Sequence, residues 1–195
     1  MKIFDNLSKY NILLASNSPR RRELLSGLDI NYSVVALPDV DESYPADLVH
    51  SEIPTFIARQ KAAAYESHME ENTLLLTADT IVWLNGEVFG KPEDEEDAVR
   101  MLKSLSGKTH EVITGVCLTS KNKQSAFHVT TTVTFAELDE EEIRYYVEKF
   151  RPMDKAGAYG IQEWIGYIGV TQISGSYFNV VGLPIQRLYD ELKKF

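Results

Sequence analysis

Dense apolar runs and helical stripes succeed one another along the whole chain, with Gly, Pro, Asn and Asp at the joints. Asn11 to Ala15 (NILLA) predicts a short buried strand. In SNSPRRRELLSG, which follows, Ser18 can cap a helix, Pro19 suits its first turn and Gly27 its end. Tyr32 to Leu37 (YSVVAL) predicts a second strand. It runs into PDVDESYPADLVH, a loop with two prolines and four carboxylates. A helix is expected from about Ser51 to Met69, and then the long apolar stretch TLLLTADTIVWL. Asn85-Gly86 is a strong hairpin signal between that stretch and EVFG.

After Lys91-Pro92, EDEEDAVRMLKSLSG predicts a helix with Ala98, Met101, Leu102 and Leu105 as its apolar stripe. Acidic residues fill its first turn, where the helix dipole favours them, and Gly107 ends it. THEVITGVCLTS and SAFHVTTTVTFAEL read as strands flanking a Lys121-Asn122-Lys123 turn. A further helix carries Ile143, Tyr146, Val147 and Phe150 on one face. The glycine-rich DKAGAYGIQEWIGYIG follows, then a strand near Gly169 to Ile173. The last helix, from about Leu183, should bury Ile185, Leu188, Tyr189 and Leu192. Strands and helices mingle throughout with no repeat or linker. The class is therefore α/β, with a mixed sheet flanked by helices, because a hairpin interrupts any parallel order.

Composition narrows the partners. The 195 residues suit one domain over 1–195, or two lobes around one cleft. Twenty Lys and Arg against 29 Asp and Glu give a formal charge of −9, which argues against a nucleic acid polymer as partner. No apolar run approaches the roughly 20 residues that span a bilayer. Lys2, Asp5 and Lys9 interrupt the start, so it does not read as a signal peptide. The single cysteine, Cys117, rules out an intramolecular disulfide, and the protein reads as cytoplasmic.

With so few cations, the positions where they gather carry the chemistry. From Leu74 to Leu84 the one charged group is Asp79. Two readings fit it: a hydrogen-bonded turn aspartate that ends a strand, or an acid at a strand end facing a cleft, stabilised by metal or cationic groups. Ile57, Lys61, Ala64 and Tyr65 follow helical spacing, which puts the Lys61 ammonium on or beside the apolar stripe. There it either snorkels to solvent or meets an anion. Arg20, Arg21 and Arg22 open a helix against its dipole, as a solvated basic face or as part of a phosphate site with its first-turn amides. Ser16 and Ser18 add hydroxyl donors. Lys91, beyond the hairpin, could return close to Asp79, and Glu42 alone reads as ordinary loop acidity.

Several chemistries are excluded. There is no glycine-rich loop ending in Gly-Lys-Ser or Gly-Lys-Thr, and no H-E-x-x-H. His50, His68, His110 and His128 show no paired metal spacing, and Cys117 sits in apolar ITGVCLT without a nameable base. What is left is oxygen ligands plus Arg and Lys, a set suited to Mg²⁺ or Mn²⁺ shared with a polyphosphate.

Seven segments carry a family resemblance: LASNSPRRRELL, the acidic DES loop, TADT, the GKP after the hairpin, SLSGKTHEVITGV, DKAGAYGIQ and GSYFNVVGLP. With these in order over nearly its full length, the chain resembles the Maf family of nucleotide pyrophosphatases. The resemblance implies a two-lobed α/β fold similar to inosine triphosphate pyrophosphatases. It also implies divalent-metal-dependent hydrolysis of a nucleoside triphosphate to monophosphate and pyrophosphate. By the same resemblance Asp79 is the acceptor of the water proton, with Glu42 and Asp79 as metal ligands. Arg20, Thr80 and Gln162 match positions that distinguish nucleotides, and Ser16, Arg21, Glu42, Lys61 and Lys91 match the polar cluster around phosphates and metal. Arg20, Thr80 and GAYGIQ together resemble the subgroup that prefers dTTP and UTP. A homodimer is a family-level expectation. The rival readings are a purine or modified-base triphosphate pyrophosphatase, and a nucleotide-binding regulator of septum formation without turnover.

Overall fold

β-Branched and apolar residues make NILLA and TLLLTADTIVWL extended, and they form neighbouring strands of one sheet. A computed structural model describes residues 4–36 and 40–195. Its strands are β1 (Asn11–Ala15), β2 (Ser33–Val35), β3 (Thr73–Leu84), β4 (Glu87–Phe89), β5 (Thr109–Thr119), β6 (Gln124–Phe135) and β7 (Val170–Ser174). The sheet order is β2-β1-β3-β5-β6-β7, with β4 paired to β3. β1 is parallel to both β2 and β3, while β4 and β7 run antiparallel to their partners, so the sheet is mixed as expected.

The chain divides into two compact units, and the division falls inside the long strands. Unit 1 comprises Met1–Asp79, Thr114–Val129 and Gly182–Phe195; unit 2 comprises Thr80–Ile113 and Thr130–Val181. In unit 1 the twofold alternation of strand side chains sorts the core. Ile12, Leu14, Leu74, Leu76 and Ala78 pack with Leu25 of α1 (Pro19–Ser26) and with Leu188 and Leu192, from the helix Ile185–Lys194. The intervening residues Leu13, Ala15 and Leu75 pack with Ala58 and Ala62 of α2 (Glu52–Tyr65) and with Cys117. A Cβ at Gly115 would lie 2.4 Å from the backbone of Pro54 and Thr55, so only glycine lets β5 pass so close under α2.

In unit 2 the β3–β4 turn is the expected hairpin, with Asn85 at φ 52° and Gly86 at φ 88°, both in the left-handed region that such a turn requires. Helices α3 (Glu95–Leu105) and α4 (Glu140–Phe150) pack together and are linked by Arg144–Glu96 at 3.0 Å and Lys103–Glu140 at 3.0 Å. Asp94 caps α3, and Asp139 with Glu142 forms a capping box on α4. Two short helices follow, α5 (Trp164–Gly169) and α6 (Tyr177–Val181), and α7 is Ile185–Lys194.

The boundaries differ from expectation at several points. β2 is shorter than Tyr32–Leu37, and Leu37 lies outside the described residues. α2 stops at Tyr65 and a 3₁₀ turn covers Glu66–His68, whose side chains are all exposed and offer no apolar stripe. α7 begins after Pro184, and its Ile185 and Tyr189 are only half-buried. Asp79 does not end a strand: it is the seventh of twelve residues in β3, with extended backbone on both sides. None of the described helices is long and apolar enough to cross a membrane.

Candidate active site

Alternation along β3 turns Leu75, Thr77 and Asp79 toward α2. Ala58 and Lys61, three residues apart, lie on one helix face and meet them. The Thr77 hydroxyl donates to the Ala58 carbonyl at 2.7 Å, and the Lys61 Nζ donates to Asp79 Oδ1 at 2.7 Å. The same ammonium lies 2.9 Å from Glu42 Oε1, from the acidic loop. Lys61 is only 5% exposed and Asp79 8%. Of the two fates open to a lysine on the apolar stripe, burial against an anion is the one adopted. The charge of Asp79 is met inside the fold, so the strand can run on through it.

The arginine run takes up different tasks residue by residue. The Ser18 hydroxyl caps α1 by accepting from the Arg21 N–H at 3.4 Å, and Ser16 Oγ, buried, accepts from the Ser18 N–H at 3.2 Å. Arg21 donates to the Gly182 carbonyl and to the Ala78 carbonyl, each at 2.8 Å. It thereby fixes the backbone immediately before Asp79. Burial lowers the Arg21 pKa below its usual value; the attraction of Asp79 opposes that, Arg20 adds to it and Glu42 opposes it. Arg22 reaches the Ser16 carbonyl at 3.3 Å, and Arg20 is half-buried. Ser16, Arg21, Glu42, Lys61 and Asp79 are thus gathered in unit 1, with Arg20 in electrostatic range of Arg21.

Thr80, Lys91 and Gln162 belong to unit 2. Thr80 is half-buried, whereas Lys91 and Gln162 are exposed, and neither of those two side chains bonds to a described residue. β4 stops at Phe89, so the strand pairing does not extend to Lys91.

Unit 2 also holds a cluster absent from the expected site. Lys155, buried, lies 2.7 Å from Asp154 Oδ1 and 3.2 Å from Glu163 Oε1. The Tyr146 hydroxyl donates to Glu163 Oε2 and accepts from the Gly160 N–H at 3.0 Å. The sequence held one signal for it: Lys155 and Glu163 are the only charged residues between positions 155 and 186. Opposite charges stranded in an apolar stretch are expected to find each other.

Among the described residues no three His, Cys, Asp or Glu side chains converge as a metal cluster. Asp79 and Glu42, held by one ammonium, are a two-carboxylate oxygen set. That set fits Mg²⁺ or Mn²⁺, which take one or two carboxylates and complete their shell with phosphate and water oxygens. A cavity of about 550 Å³ elsewhere in unit 1, lined by Phe4, Tyr10, Ile30 and Tyr189, includes none of the expected site residues.

A mixed α/β sheet bearing a buried lysine–aspartate pair, with the exposed Glu42 on the same ammonium, defines a class by fold, and that fold has a solved counterpart. The structure of a HAM1 protein from Coxiella burnetii superposes with a TM-score of 0.54 over 95% of this chain and 100% of that one, at 16% identity. At that identity the likeness is one of fold alone. The chain belongs to the Maf-like protein family, which it matches over residues 11–195. It is 66% identical over 189 residues to the dTTP/UTP pyrophosphatase of Bacteroides thetaiotaomicron, covering 97% of this chain and 98% of that one. It is 64% identical over 192 residues to the dTTP/UTP pyrophosphatase of Phocaeicola vulgatus, covering 98% and 100%.

Proposed function

We propose that this protein hydrolyses nucleoside triphosphates at the α–β phosphoanhydride, releasing the monophosphate and pyrophosphate, with dTTP and UTP as its substrates. Full-length similarity to relatives named for that activity supports the reaction and the substrate class. The observation that carries the mechanism is the burial of Asp79 against Lys61, with Glu42 on the same ammonium.

A water oxygen attacks the α-phosphorus in line with the bridging oxygen. The new P–O bond forms as the bond to that bridging oxygen breaks, and pyrophosphate leaves with the electron pair. Asp79 accepts the proton of the attacking water. Lys61 and Glu42 fix the carboxylate's position, and Arg21 fixes the strand behind it. Bound by Asp79 and Glu42, a divalent cation such as Mg²⁺ or Mn²⁺ would polarise the phosphate oxygens. Arg20, Arg21, Lys61 and Lys91 offset the negative charge that gathers on the leaving pyrophosphate, and Ser16 adds a hydroxyl donor to the phosphate cluster. Arg20, Thr80 and Gln162 select the nucleotide, and the Gln162 amide supplies one donor and one acceptor to a pyrimidine edge. Residues 1–195 work as one Maf-like domain, in the cytoplasm where nucleotide substrates circulate, and its assembly as a homodimer is open to light scattering.

The test is pyrophosphate release from dTTP, UTP, CTP, 7-methyl-GTP and ITP, with Mg²⁺ or Mn²⁺ and with a chelator. dTTP and UTP should turn over fastest, and the chelator should stop them. Turnover of none, release of orthophosphate in place of pyrophosphate, or full activity in chelator would contradict the proposal.

A further inference from the structure

Gln162 sits at the tip of a four-residue turn whose two ends meet at one buried hydroxyl. The Glu163 N–H donates to the Gly160 carbonyl at 2.9 Å, which makes Ile161 and Gln162 the central residues. Ile161 is buried and Gln162 is exposed, so the turn is anchored by one side chain and presents the other. From α4, Tyr146 takes the Gly160 N–H at 3.0 Å and donates its own proton to Glu163 Oε2. The remaining carboxylate oxygen of Glu163 is held by Lys155 at 3.2 Å.

Close packing reinforces this arrangement. A Cβ at Gly160 would come within 2.9 Å of Glu163 Cδ and 3.0 Å of Lys155 Cε, so any larger residue there would push both side chains of the ion pair aside. A Cβ at Gly166 would lie 1.9 Å from the Ile161 carbonyl oxygen, and α5 closes over the turn on that side. Tyr146 itself is fully buried and stacked on Phe150 at 5.2 Å. Burial, and then the neighbouring Glu163 carboxylate, raise its phenol pKa, so the hydroxyl keeps the proton that it donates.

We propose that Tyr146, through its paired hydrogen bonds to Gly160 and Glu163, is the positioning residue for pyrimidine selection by Gln162. The inference rests on the reading of Gln162 as the residue that contacts the base. A primary amide turned by 180° presents the opposite order of donor and acceptor. One orientation suits the O4 and N3–H of uracil or thymine, and the other suits the N4 amine and N3 of cytosine. The amide itself can turn either way, so the selection depends on where the frame holds it against the base. Tyr146 does not touch the reacting atoms and acts only through that frame.

The experiment is Tyr146→Phe, which keeps the stacked ring and removes the hydroxyl, read as kcat and KM for UTP and CTP. The UTP-to-CTP ratio of kcat/KM should fall about tenfold, mostly through KM for UTP, with kcat changed less than about threefold. Gln162→Ala sets the floor of selectivity, and adding Tyr146→Phe to it should move the ratio no further. If Gln162→Ala collapses the ratio and Tyr146→Phe leaves it unchanged, the positioning role is overturned while Gln162 keeps its own. If Gln162→Ala leaves the ratio unchanged, the underlying reading of Gln162 fails and this inference with it. Should Tyr146→Phe not fold, Glu163→Gln decides: it keeps the shape but weakens the bond to Lys155, and an unchanged ratio in that variant refutes the proposal.

Discussion

Lys61→Met replaces an ammonium by a thioether of similar length, and the surroundings set the size of its effect. The lost contacts are 2.7 Å to Asp79 and 2.9 Å to Glu42. Removing one partner of a buried pair leaves the other uncompensated, at a cost of about 3–5 kcal/mol. Glu42, with a side chain 44% exposed, can turn to water, so its part is at most about 1 kcal/mol. Arg21 stays and continues to attract Asp79, which draws the total toward the lower end, about 3 kcal/mol. For a chain of this length that corresponds to a fall in Tm of roughly 6–12 °C. Urea unfolding measures it, with the midpoint lowered and the slope unchanged. The double variant Lys61→Met with Asp79→Asn removes the orphaned charge as well, and should recover about half of the loss. A loss below about 1 kcal/mol, or a double variant as unstable as the two single losses combined, would refute a buried ion pair as what holds Asp79.

His110 and Gly115 give independent checks. His110 is buried against Phe135 and Tyr159, and burial lowers its pKa from 6.5 to about 4. Between those values the unfolded chain holds the extra proton, so stability present above pH 6.5 is lost as the pH falls, by about 3 kcal/mol at pH 4. His110→Gln should lose that much less on going from pH 7 to pH 4, and parallel wild-type and variant curves would contradict it. Gly115→Ala drives a methyl into the Pro54 backbone. It should cost about 1–3 kcal/mol and lower turnover together with Tm, because α2 carries Lys61; wild-type values for both would show that β5 and α2 are not so close.

The mixed sheet was legible because the apolar runs have strand length and the hairpin has a two-residue Asn-Gly turn with no alternative use. α3 and α4 were legible because both apolar stripe and cap are written in the sequence. Asp79 and Lys61 each stood out as a charge in an apolar setting, but nothing in either sequence neighbourhood named the other. Their pairing depends on the registry of α2 over β3, which is fixed by contacts such as the Thr77 hydroxyl on the Ala58 carbonyl, with Gly115 of β5 close under Pro54. The arginine run looked uniform in sequence. Its division of labour, with Arg21 on two backbone carbonyls, depends on where the chain returns at Gly182. Asp79 was expected to end a strand because an unpaired carboxylate inside one is costly, and the ion pair removed the reason for ending it. The Tyr146–Glu163–Lys155 network was missed because the glycine-rich stretch around it has no helical or strand period, and short helices such as α5 are set by packing rather than by pattern.

The central claim is that Asp79 accepts the proton of the water that splits the nucleotide. Pyrophosphate release from dTTP by the wild type and by Asp79→Asn, measured side by side at equal folded concentration, tests it most directly. The wild type should release one pyrophosphate per dTMP, and the variant should bind dTTP yet turn over about 100- to 10,000-fold more slowly. Turnover by Asp79→Asn within a few fold of wild type would place the base elsewhere and contradict the account.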